Sequence, residues 1–356
     1  MAGERLLMKG NEAIAEAAIR AGCDAYFGYP ITPQNELIAY MAKNMLDKGR
    51  VFIQAESEIA AMSMVFGAAA AGGRAMTSSS SPGVSLKQEG ISYASGADMP
   101  CVVVNVARAG PGLGGISPGQ GDYFQSTRGG GHGDYYNIVL APKSVQEAAD
   151  LTYKAFDLAE KWRMPVVILA DGLIGQMMEG VVLPPDLGAR GAREADRSWA
   201  VGAGKPGMRR HVTSCILDPA ALEASVKARF ERYARIAEEC SSFEEVNVEK
   251  AQLVFVAYGT ASRVCLGAIQ KAKEEGLELG LFRPVSLWPF PSAELARLAG
   301  AGKRFLDVEM SMGQMVQDVR LAVGGAAAVD FYGRCGGVIP SEEEVLVEAK
   351  RILGWK

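Results

Sequence analysis

The segment NEAIAEAAIRAGCDAYFGYPITPQNELIAY, residues 11–40, contains the structural unit whose repetition decides the fold. An Ala-rich stretch with helical spacing (11–21) is followed by a short apolar run (25–29), and a second helical stretch begins at residue 33. The order helix, strand, helix in so short a segment is typical of the βαβ units that build parallel sheets. The segment therefore predicts an α/β protein.

The same alternation continues to residue 171 and predicts a first domain over residues 1–182. Further strands are predicted at 51–54, 75–78, 101–106 and 165–170, and helices at 33–46, 57–71, 85–95 and 145–161. The strand CVVVNV (101–106) lacks polar alternation, as expected for a strand that helices cover on both faces. The helix 57–71 is apolar nearly all round, which is typical of a central or interface helix.

A second alternation begins at Leu253 and predicts another α/β domain over residues 251–356. Its strands are predicted at 253–257, 278–282, 304–308 and 328–332, and its helices at 262–275, 293–298, 314–323 and 342–353. Residues 183–250 carry little strand signal and contain Pro184 and Pro185, glycines at 202–207 and a charged helical stretch at 221–239. We interpret residues 183–250 as a linker with a helical arm.

The composition favours a soluble globular protein whose partners are small molecules or other proteins. The chain has 356 residues, a formal charge of −4 and no Lys/Arg run, which argues against nucleic acid and against an anionic membrane. Its six cysteines include no CxxC pair, so an iron–sulfur or zinc site within this chain is not expected. Neither a signal-peptide core nor an apolar stretch of membrane-spanning length is visible, and we expect a cytoplasmic location.

A hydroxyl-bearing turn follows the first predicted strand. Pro30 and Pro33 fix the backbone on both sides of Thr32, so its hydroxyl is held still. The carboxyl ends of strands are where open α/β sheets bind ligands, which makes Thr32 a candidate ligand residue. An N-cap with Pro33 at the first helical position is the alternative, and the two roles are compatible.

Two glutamates, Glu56 and Glu58, follow the next predicted strand. Carboxylates at a helix start are stabilised by the helix dipole, so capping is one interpretation of both residues. The stretch after them is almost wholly apolar or small, so a carboxylate at position 58 is expected to be buried and to need a specific partner.

A glycine-rich loop follows the strand 101–106, and Arg108 lies at its start. A cation in this position would face a ligand above the sheet edge, with a carboxylate as its natural partner or a structural ion pair as the alternative. The loop GPGLGG (110–115) formally satisfies GxGxxG, but Pro118 and Gly119 follow where a dinucleotide fold should open a helix. A flexible loop or a substrate loop of another kind is therefore favoured.

Other motifs carry less specific signals. The run TSSSSPG (77–83) is typical of an anion nest or a polar cofactor wall, and equally of an ordinary loop. The two histidines, His132 and His211, are too few for a histidine metal site, and neither HExxH nor GxxxxGK[ST] occurs. His132 lies among four glycines that would let backbone approach a ligand closely.

Five segments together resemble the α subunit of 2-oxoacid:ferredoxin oxidoreductases, most closely the branched-chain (2-oxoisovalerate) enzymes. They are residues 10–36 around YPITP, QAESEIAAM (54–62), TSSSSPG (77–83), residues 90–115 ending in ARAGPGLGG, and GGGHGDY (129–135). The second domain adds FRPVSLWPFP (282–291) and VEMSMGQ (308–314), with Ser311 where many members carry asparagine.

The resemblance implies a thiamine diphosphate enzyme of anaerobic metabolism that decarboxylates a 2-oxoacid oxidatively and makes an acyl-CoA. It implies a pyrimidine-type thiamine diphosphate-binding domain followed by a transketolase C-terminal-like domain. Glu58 matches the catalytic glutamate that hydrogen-bonds N1′ of the aminopyrimidine. Thr32 and Arg108 match residues that hold the substrate's oxo and carboxylate groups. The matched segments also place Pro30, Ile31 and Ser81 beside the cofactor.

The family's other functions are expected on partner chains. Thiamine enzymes bind the diphosphate through Mg²⁺ at a Gly-Asp-Gly motif that this sequence lacks, so a β subunit is implied. The lack of cysteine clusters implies that iron–sulfur clusters lie in γ and ferredoxin-like δ subunits, with ferredoxin as electron acceptor. Self-association in a larger assembly is expected, and the chain alone should be inactive.

The substrate is predicted from the loop after Arg108. Relatives that act on 2-oxoglutarate tend to have Ser-Thr-Gly there, whereas this chain has Gly112-Leu113-Gly114, a less polar candidate wall for an aliphatic side chain. A branched-chain 2-oxoacid is favoured, with 2-oxoglutarate and arylpyruvates as alternatives. Two other classes stay open, a non-catalytic α/β scaffolding subunit and a dinucleotide-binding dehydrogenase.

Overall fold

The computed structural model describes residues 4–188, 197–201 and 210–355. The first part of the chain contains β1 (Arg5–Lys9), α1 (Gly10–Arg20), β2 (Ala25–Gly28), α2 (Asn35–Asp47), β3 (Val51–Gln54), α3 (Glu58–Ala70), β4 (Ala75–Ser79), α4 (Ser81–Gly96), β5 (Cys101–Ala107), α5 (Tyr123–Thr127), β6 (Ile138–Leu140), α6 (Val145–Trp162), β7 (Pro165–Asp171), α7 (Gly172–Gln176) and β8 (Met178–Val182).

The later part adds eleven elements. These are α8 (Pro219–Cys240), β9 (Phe243–Val246), β10 (Leu253–Val256), α9 (Gly259–Glu274), β11 (Leu279–Pro284), β12 (Ser286–Trp288), α10 (Ser292–Gly300), β13 (Arg304–Glu309), α11 (Met315–Val323), β14 (Val329–Gly333) and α12 (Glu342–Leu353).

A seven-stranded sheet forms the centre of the first domain, in the order β12-β6-β7-β5-β4-β2-β3. Every residue of β5 is buried, because helices cover both faces of this strand. Val103 and its neighbours pack against α3 and α4, whereas Val102 and Val104 pack against α1, α2 and α6. The α/β fold with a parallel sheet is therefore confirmed.

A five-stranded sheet forms the second domain, in the order β14-β13-β10-β11-β9. All its neighbouring strands are parallel except β9, which runs antiparallel to β11 at the edge. The two domains share a hydrophobic core, in which Tyr123 and Val103 of the first belong to the same cluster as Tyr258 and Met315 of the second. The domains therefore pack directly on each other.

Several predicted elements differ from the observed ones for local reasons. Helix α4 starts at Ser81 rather than residue 85, because the serine-rich turn already takes up the first helical turn, with Pro82 in it. The region 183–250, expected to have little strand structure, contains β9, which pairs with β11. The charged sequence FEEV lacks the alternation of apolar and polar residues from which a strand is predicted. The glycines expected at 202–207 lie outside the described residues.

Four more strands, β1, β6, β8 and β12, were not predicted from the sequence. β1 and β8 form a two-stranded antiparallel sheet whose half-exposed residues give no clear alternation. β12 follows β11 in sequence yet pairs with β6 of the first sheet. No helix within the described ranges has both the length and the apolarity needed to cross a bilayer.

Candidate active site

The carboxyl ends of four neighbouring strands meet at one edge of the first sheet. Thr32 follows β2, Glu58 follows β3, Ser81 follows β4 and Arg108 follows β5, and these strands are adjacent in the order β5-β4-β2-β3. The fold therefore brings the four main candidate residues to the edge at which open α/β sheets bind ligands.

Arg108 connects the loops after β2 and β5. Its guanidinium is only 7% exposed, and Nη1 and Nη2 donate to the carbonyl oxygens of Thr32 and Leu113, each at 2.9 Å. Within the described ranges Arg108 forms no ion pair, so the expected structural alternative is not observed, and its buried Nε has no partner. No described carboxylate contacts this guanidinium, although its charge acts on the nearby buried Asp122 carboxyl, so a ligand carboxylate could bind Arg108 directly.

Thr32 is not a helix cap. Helix α2 starts at Asn35 and its N-cap residue is Gln34, so the alternative predicted for Thr32 is wrong. The Thr32 hydroxyl accepts a hydrogen bond from Nδ2 of Asn35 at 3.3 Å, and the residue is half-buried. Its neighbours Pro30 and Ile31 are exposed and half-buried respectively, on the same turn.

The glycine loop presents Gly112 and Leu113 to solvent. The Leu113 side chain is 79% exposed while its carbonyl is fixed by Arg108, and Gly112 has a φ of +69°. The next helix in the sequence, α5, does not start until Tyr123, so the loop does not lead directly into a helix N-terminus. The geometry that dinucleotide binding requires is therefore missing at GPGLGG.

Ser81 joins the serine-rich turn to the Arg108 strand. Its hydroxyl donates to Oδ2 of Asp122 at 2.6 Å and accepts from the backbone N–H of Arg108 at 2.9 Å. Burial raises the pKa of Asp122, and hydrogen bonds from Ser81 and Asn105 and the positive charge of Arg108 oppose this rise. Ser81 is thus already engaged with protein groups on both sides.

Three other hydroxyls of the same run have no partner within the described ranges. Thr77, Ser79 and Ser80 are fully buried, and each has an unpaired hydroxyl oxygen. The sequence indicated a polar wall at 77–83 but gave no means of telling which hydroxyls the protein leaves unused.

Glu58 is buried, with 6% of its surface exposed, whereas Glu56 is exposed. The N-cap of α3 is Ser57, whose hydroxyl accepts from the Ala60 N–H at 3.2 Å, so Glu58 is not needed for capping. Its carboxylate accepts no hydrogen bond from any residue that the structure describes. The carboxylate can therefore accept a hydrogen bond from a ligand at the sheet edge.

A glycine of α4 makes the space for this carboxylate. A Cβ atom on Gly83 would lie 2.6 Å from Oε1 of Glu58 and 2.1 Å from Oγ of Ser79. No sequence signal distinguished Gly83 from the rest of the run 77–83, and none pointed to Lys87, a fully buried lysine whose Nζ donates to the backbone oxygen of Glu58 at 3.2 Å.

A cleft between the two domains adjoins this edge. Its volume is about 400 Å³, and it is lined by Ser81, Gly112 and Asp122 from the first domain and by Met310, Ser311 and Cys335 from the second. His132 lies elsewhere, exposed on its glycine loop, where its carbonyl accepts from the Ser92 hydroxyl.

Two family models match the earlier and the later part of the chain. Residues 16–217 match the model described as pyruvate flavodoxin/ferredoxin oxidoreductase, thiamine diphosphate-binding, and residues 251–345 match pyruvate:ferredoxin oxidoreductase core domain II. Two curated relatives match along nearly their whole length. Ketoisovalerate oxidoreductase subunit VorB of Methanothermobacter thermautotrophicus is 49% identical, over 98% of each chain. 2-Oxoglutarate synthase subunit KorA of the same organism is 35% identical, over 96% of this chain and 97% of the relative.

Two solved structures share the fold. The 2-oxoglutarate:ferredoxin oxidoreductase from Magnetococcus marinus, with 2-oxoglutarate, coenzyme A and succinyl-CoA bound, has a TM-score of 0.88 at 28% identity. The match covers 98% of this chain but only 65% of that one. A split-gene transketolase has a TM-score of 0.55 at 13% identity over 99% of both chains, which supports the expected transketolase-like architecture.

Proposed function

The chain belongs to the 2-oxoacid:ferredoxin oxidoreductase family, and from this premise we propose that it is the α subunit that holds the aminopyrimidine and the 2-oxoacid. The proposed reaction converts a 2-oxoacid and CoA to acyl-CoA and CO₂ and reduces ferredoxin. One observation carries this proposal: Glu58 is buried and its carboxylate accepts no hydrogen bond from described residues, and it lies at the same sheet edge as the Arg108 guanidinium, which no described carboxylate contacts.

The residues around Glu58 fit thiamine diphosphate, which supplies a nucleophilic carbon for attack on the 2-oxo group. An aminopyrimidine ring offers N–H donors and ring nitrogens, and Glu58 offers a carboxylate that accepts no hydrogen bond from described residues. Glu58 would hold a proton at N1′, and the turn from Pro30 to Thr32 would lie against the ring. Ser81 would support the cofactor site without binding the cofactor itself, because its hydroxyl is already hydrogen-bonded to Asp122 and to the Arg108 N–H.

The substrate would be oriented by Arg108 and Thr32. Arg108 is fixed by two backbone carbonyls, so its charge is held still and can orient a carboxylate with little loss of side-chain freedom. The Thr32 hydroxyl lies on the turn whose backbone carbonyl Arg108 binds, and it would donate a hydrogen bond to the 2-oxo oxygen. Both residues would act by positioning the carboxylate and oxo groups before bond cleavage.

We propose 2-oxoisovalerate as the preferred acid. The greater identity to the VorB relative than to the KorA relative supports this choice, as does the apolar loop of Gly112 and Leu113. Because the Leu113 side chain is exposed in this chain, it would form a substrate wall only after loop closure or against a partner subunit. 2-Oxoglutarate is the second candidate.

Partner chains complete the proposed enzyme. The relatives are named as subunits, which supports a multi-subunit assembly for this chain as well. We propose that a β subunit contributes Mg²⁺ and the diphosphate site, that γ and ferredoxin-like δ subunits contribute the iron–sulfur clusters, and that the assembly works in the cytoplasm. Within this chain, we propose residues 1–182 as the pyrimidine-type domain and 251–356 as the transketolase C-terminal-like domain, with 183–250 between them.

Substitution of Glu58 tests the function directly. In the co-expressed assembly, Glu58→Gln is expected to lower turnover of 2-oxoisovalerate with thiamine diphosphate and CoA by roughly 10² or more, because a positioned proton-transfer group is removed. Glu56→Gln, two residues away and exposed, is the matched control and should keep full turnover. Full activity of Glu58→Gln would leave a non-catalytic scaffolding subunit as the better interpretation.

A further inference from the structure

A lysine is completely enclosed beside the candidate site. Lys87, on α4, has no exposed surface, and its ammonium makes one hydrogen bond to described residues, to the backbone oxygen of Glu58 at 3.2 Å. Burial of an ammonium group with a single neutral acceptor is unfavourable. A lysine retained in such a position therefore needs an explanation other than stability.

The side of α4 that faces α3 is shaped around Glu58. Gly83, Lys87 and Gly90 are spaced by four and three residues, so they lie on one side of the helix. A Cβ atom at Gly90 would lie 2.5 Å from Cγ of Met62, just as one at Gly83 would meet the Glu58 carboxylate. The two glycines let the helices approach closely, and between them Lys87 reaches the first turn of α3.

The charge of Lys87 lies next to one acidic group. Burial lowers the pKa of Lys87 to about 8, and attraction to the Glu58 carboxylate on α3 opposes this shift. On its own helix, Glu89 is exposed and accepts a hydrogen bond from the Tyr93 hydroxyl. Within the described ranges Lys87 has no ion pair, so Glu58 is the acidic side chain that its charge influences.

We propose that Lys87 is a positioning residue, which fixes the first turn of α3 through the Glu58 carbonyl and keeps a positive charge beside the Glu58 carboxylate. The inference rests on the proposed function of Glu58 and extends it to a residue on the neighbouring helix. Two consequences follow. Loss of Lys87 should loosen the start of α3 even without cofactor. The contribution that the Lys87 charge makes to turnover should require the protonated form of the side chain.

The first consequence is tested by hydrogen exchange in the cofactor-free co-expressed assembly. In Lys87→Met, which has a similar length without the ammonium, the amides of residues 59–64 are expected to exchange roughly tenfold faster through local opening. Lys227→Met removes an exposed lysine of α8 and should leave these amides unchanged. Wild-type exchange at α3 in Lys87→Met would overturn the positioning role.

The second consequence is tested by the pH dependence of turnover and by the affinity for thiamine diphosphate. Lys87 is charged below about pH 8 and loses its proton above it, so the ratio of wild-type to Lys87→Met turnover should be roughly tenfold at pH 7 and smaller at pH 9.5, where the neutral amine still donates a hydrogen bond but carries no charge. A ratio that does not change with pH would contradict a role for the charge. Weaker thiamine diphosphate binding by Lys87→Met at pH 7 is also expected.

Lys87→Arg keeps a positive charge at this position and tests whether the charge restores turnover. It also keeps the proposal testable if Lys87→Met does not assemble. Arginine stays protonated throughout this pH range, so turnover of Lys87→Arg should exceed that of Lys87→Met and should not decline near pH 8. A decline identical to that of the wild type would overturn the proposal. The Glu58→Gln assembly separates the two hypotheses. If it is inactive while Lys87→Met behaves as wild type, only the inference about Lys87 fails.

Discussion

Arg108 defines the candidate site at the scale of a single residue. Its two terminal nitrogens bind carbonyls of different loops, those of Thr32 and Leu113, while its charge has no carboxylate partner in the described part of the chain. The same side chain therefore fixes the loops and keeps an unused cation beside them. Lysine carries its three N–H donors on a single atom and lacks the planar fork that here spans two separate carbonyls.

Arg108→Lys is expected to lower kcat/KM for 2-oxoisovalerate by roughly 10², about 2.7 kcal/mol, because the planar fork that fixes loop and substrate is lost. Steady-state kinetics of the co-expressed assembly provide the measurement. Arg351→Lys, at an exposed ion pair of α12, is the matched control and should be neutral. Equal kinetics for both variants would mean that Arg108 does not contact the substrate.

Helix α4 is the element that organises the site. Its first residue, Ser81, is bound to the Arg108 strand, and its inner side carries Gly83 and Lys87 against Glu58. Local patterns could predict that Glu58 is buried, because the apolar sequence after it leaves the helix no polar side. They could not predict that Lys87 is buried, because lysine at a helix position normally indicates an exposed face, and only the close approach of α3 decides otherwise.

Gly83→Ala tests the close packing of α4 on α3. The added methyl group would overlap Oε1 of Glu58 and Oγ of Ser79, so the carboxylate must move. We expect roughly tenfold weaker thiamine diphosphate binding together with reduced turnover, since productive geometry tolerates displacements of only about 0.5 Å. Isothermal titration with the cofactor-free assembly measures the affinity.

The control for this substitution is Gly300→Ala at the end of α10, where an added Cβ meets nothing within 4 Å. Alanine there should leave cofactor affinity unchanged. Unaltered affinity in Gly83→Ala would show that the Glu58 carboxylate does not contact the cofactor in its observed position.

At the scale of the whole molecule, the second domain fixes the loop that follows Arg108. Gln120 exchanges hydrogen bonds with the backbone of Met310 in both directions at 2.9 Å, and its side-chain amide also donates to the Tyr258 carbonyl. Asp171 at the end of β7 accepts from both the N–H and the hydroxyl of Thr260. Alternating patterns could predict most strands of the two larger sheets, but these contacts could not be predicted, because they join residues far apart in sequence and follow no period.

Gln120→Ala is expected to destabilise the interface between the domains by roughly 3 kcal/mol, because it removes two buried side-chain hydrogen bonds and leaves their backbone partners unsatisfied. A lower melting temperature of the assembly and a higher KM for the 2-oxoacid should accompany each other. Gln317→Ala, at an exposed position on α11, is the control. A lower melting temperature with unchanged KM would show that the loop is positioned without the second domain.

The pairing of β12 with β6 has a consequence for the biosynthesis of the chain. The strand at Ser286–Trp288 closes the edge of a sheet whose other members all precede residue 172. If the first sheet forms during translation, the edge of β6 stays unpaired until residues 286–288 have left the ribosome. Unpaired edge strands can pair with strands of other chains. A nascent chain that stalls before residue 286 would present this edge, which makes the interval before β12 emerges the period in which chaperone protection matters most.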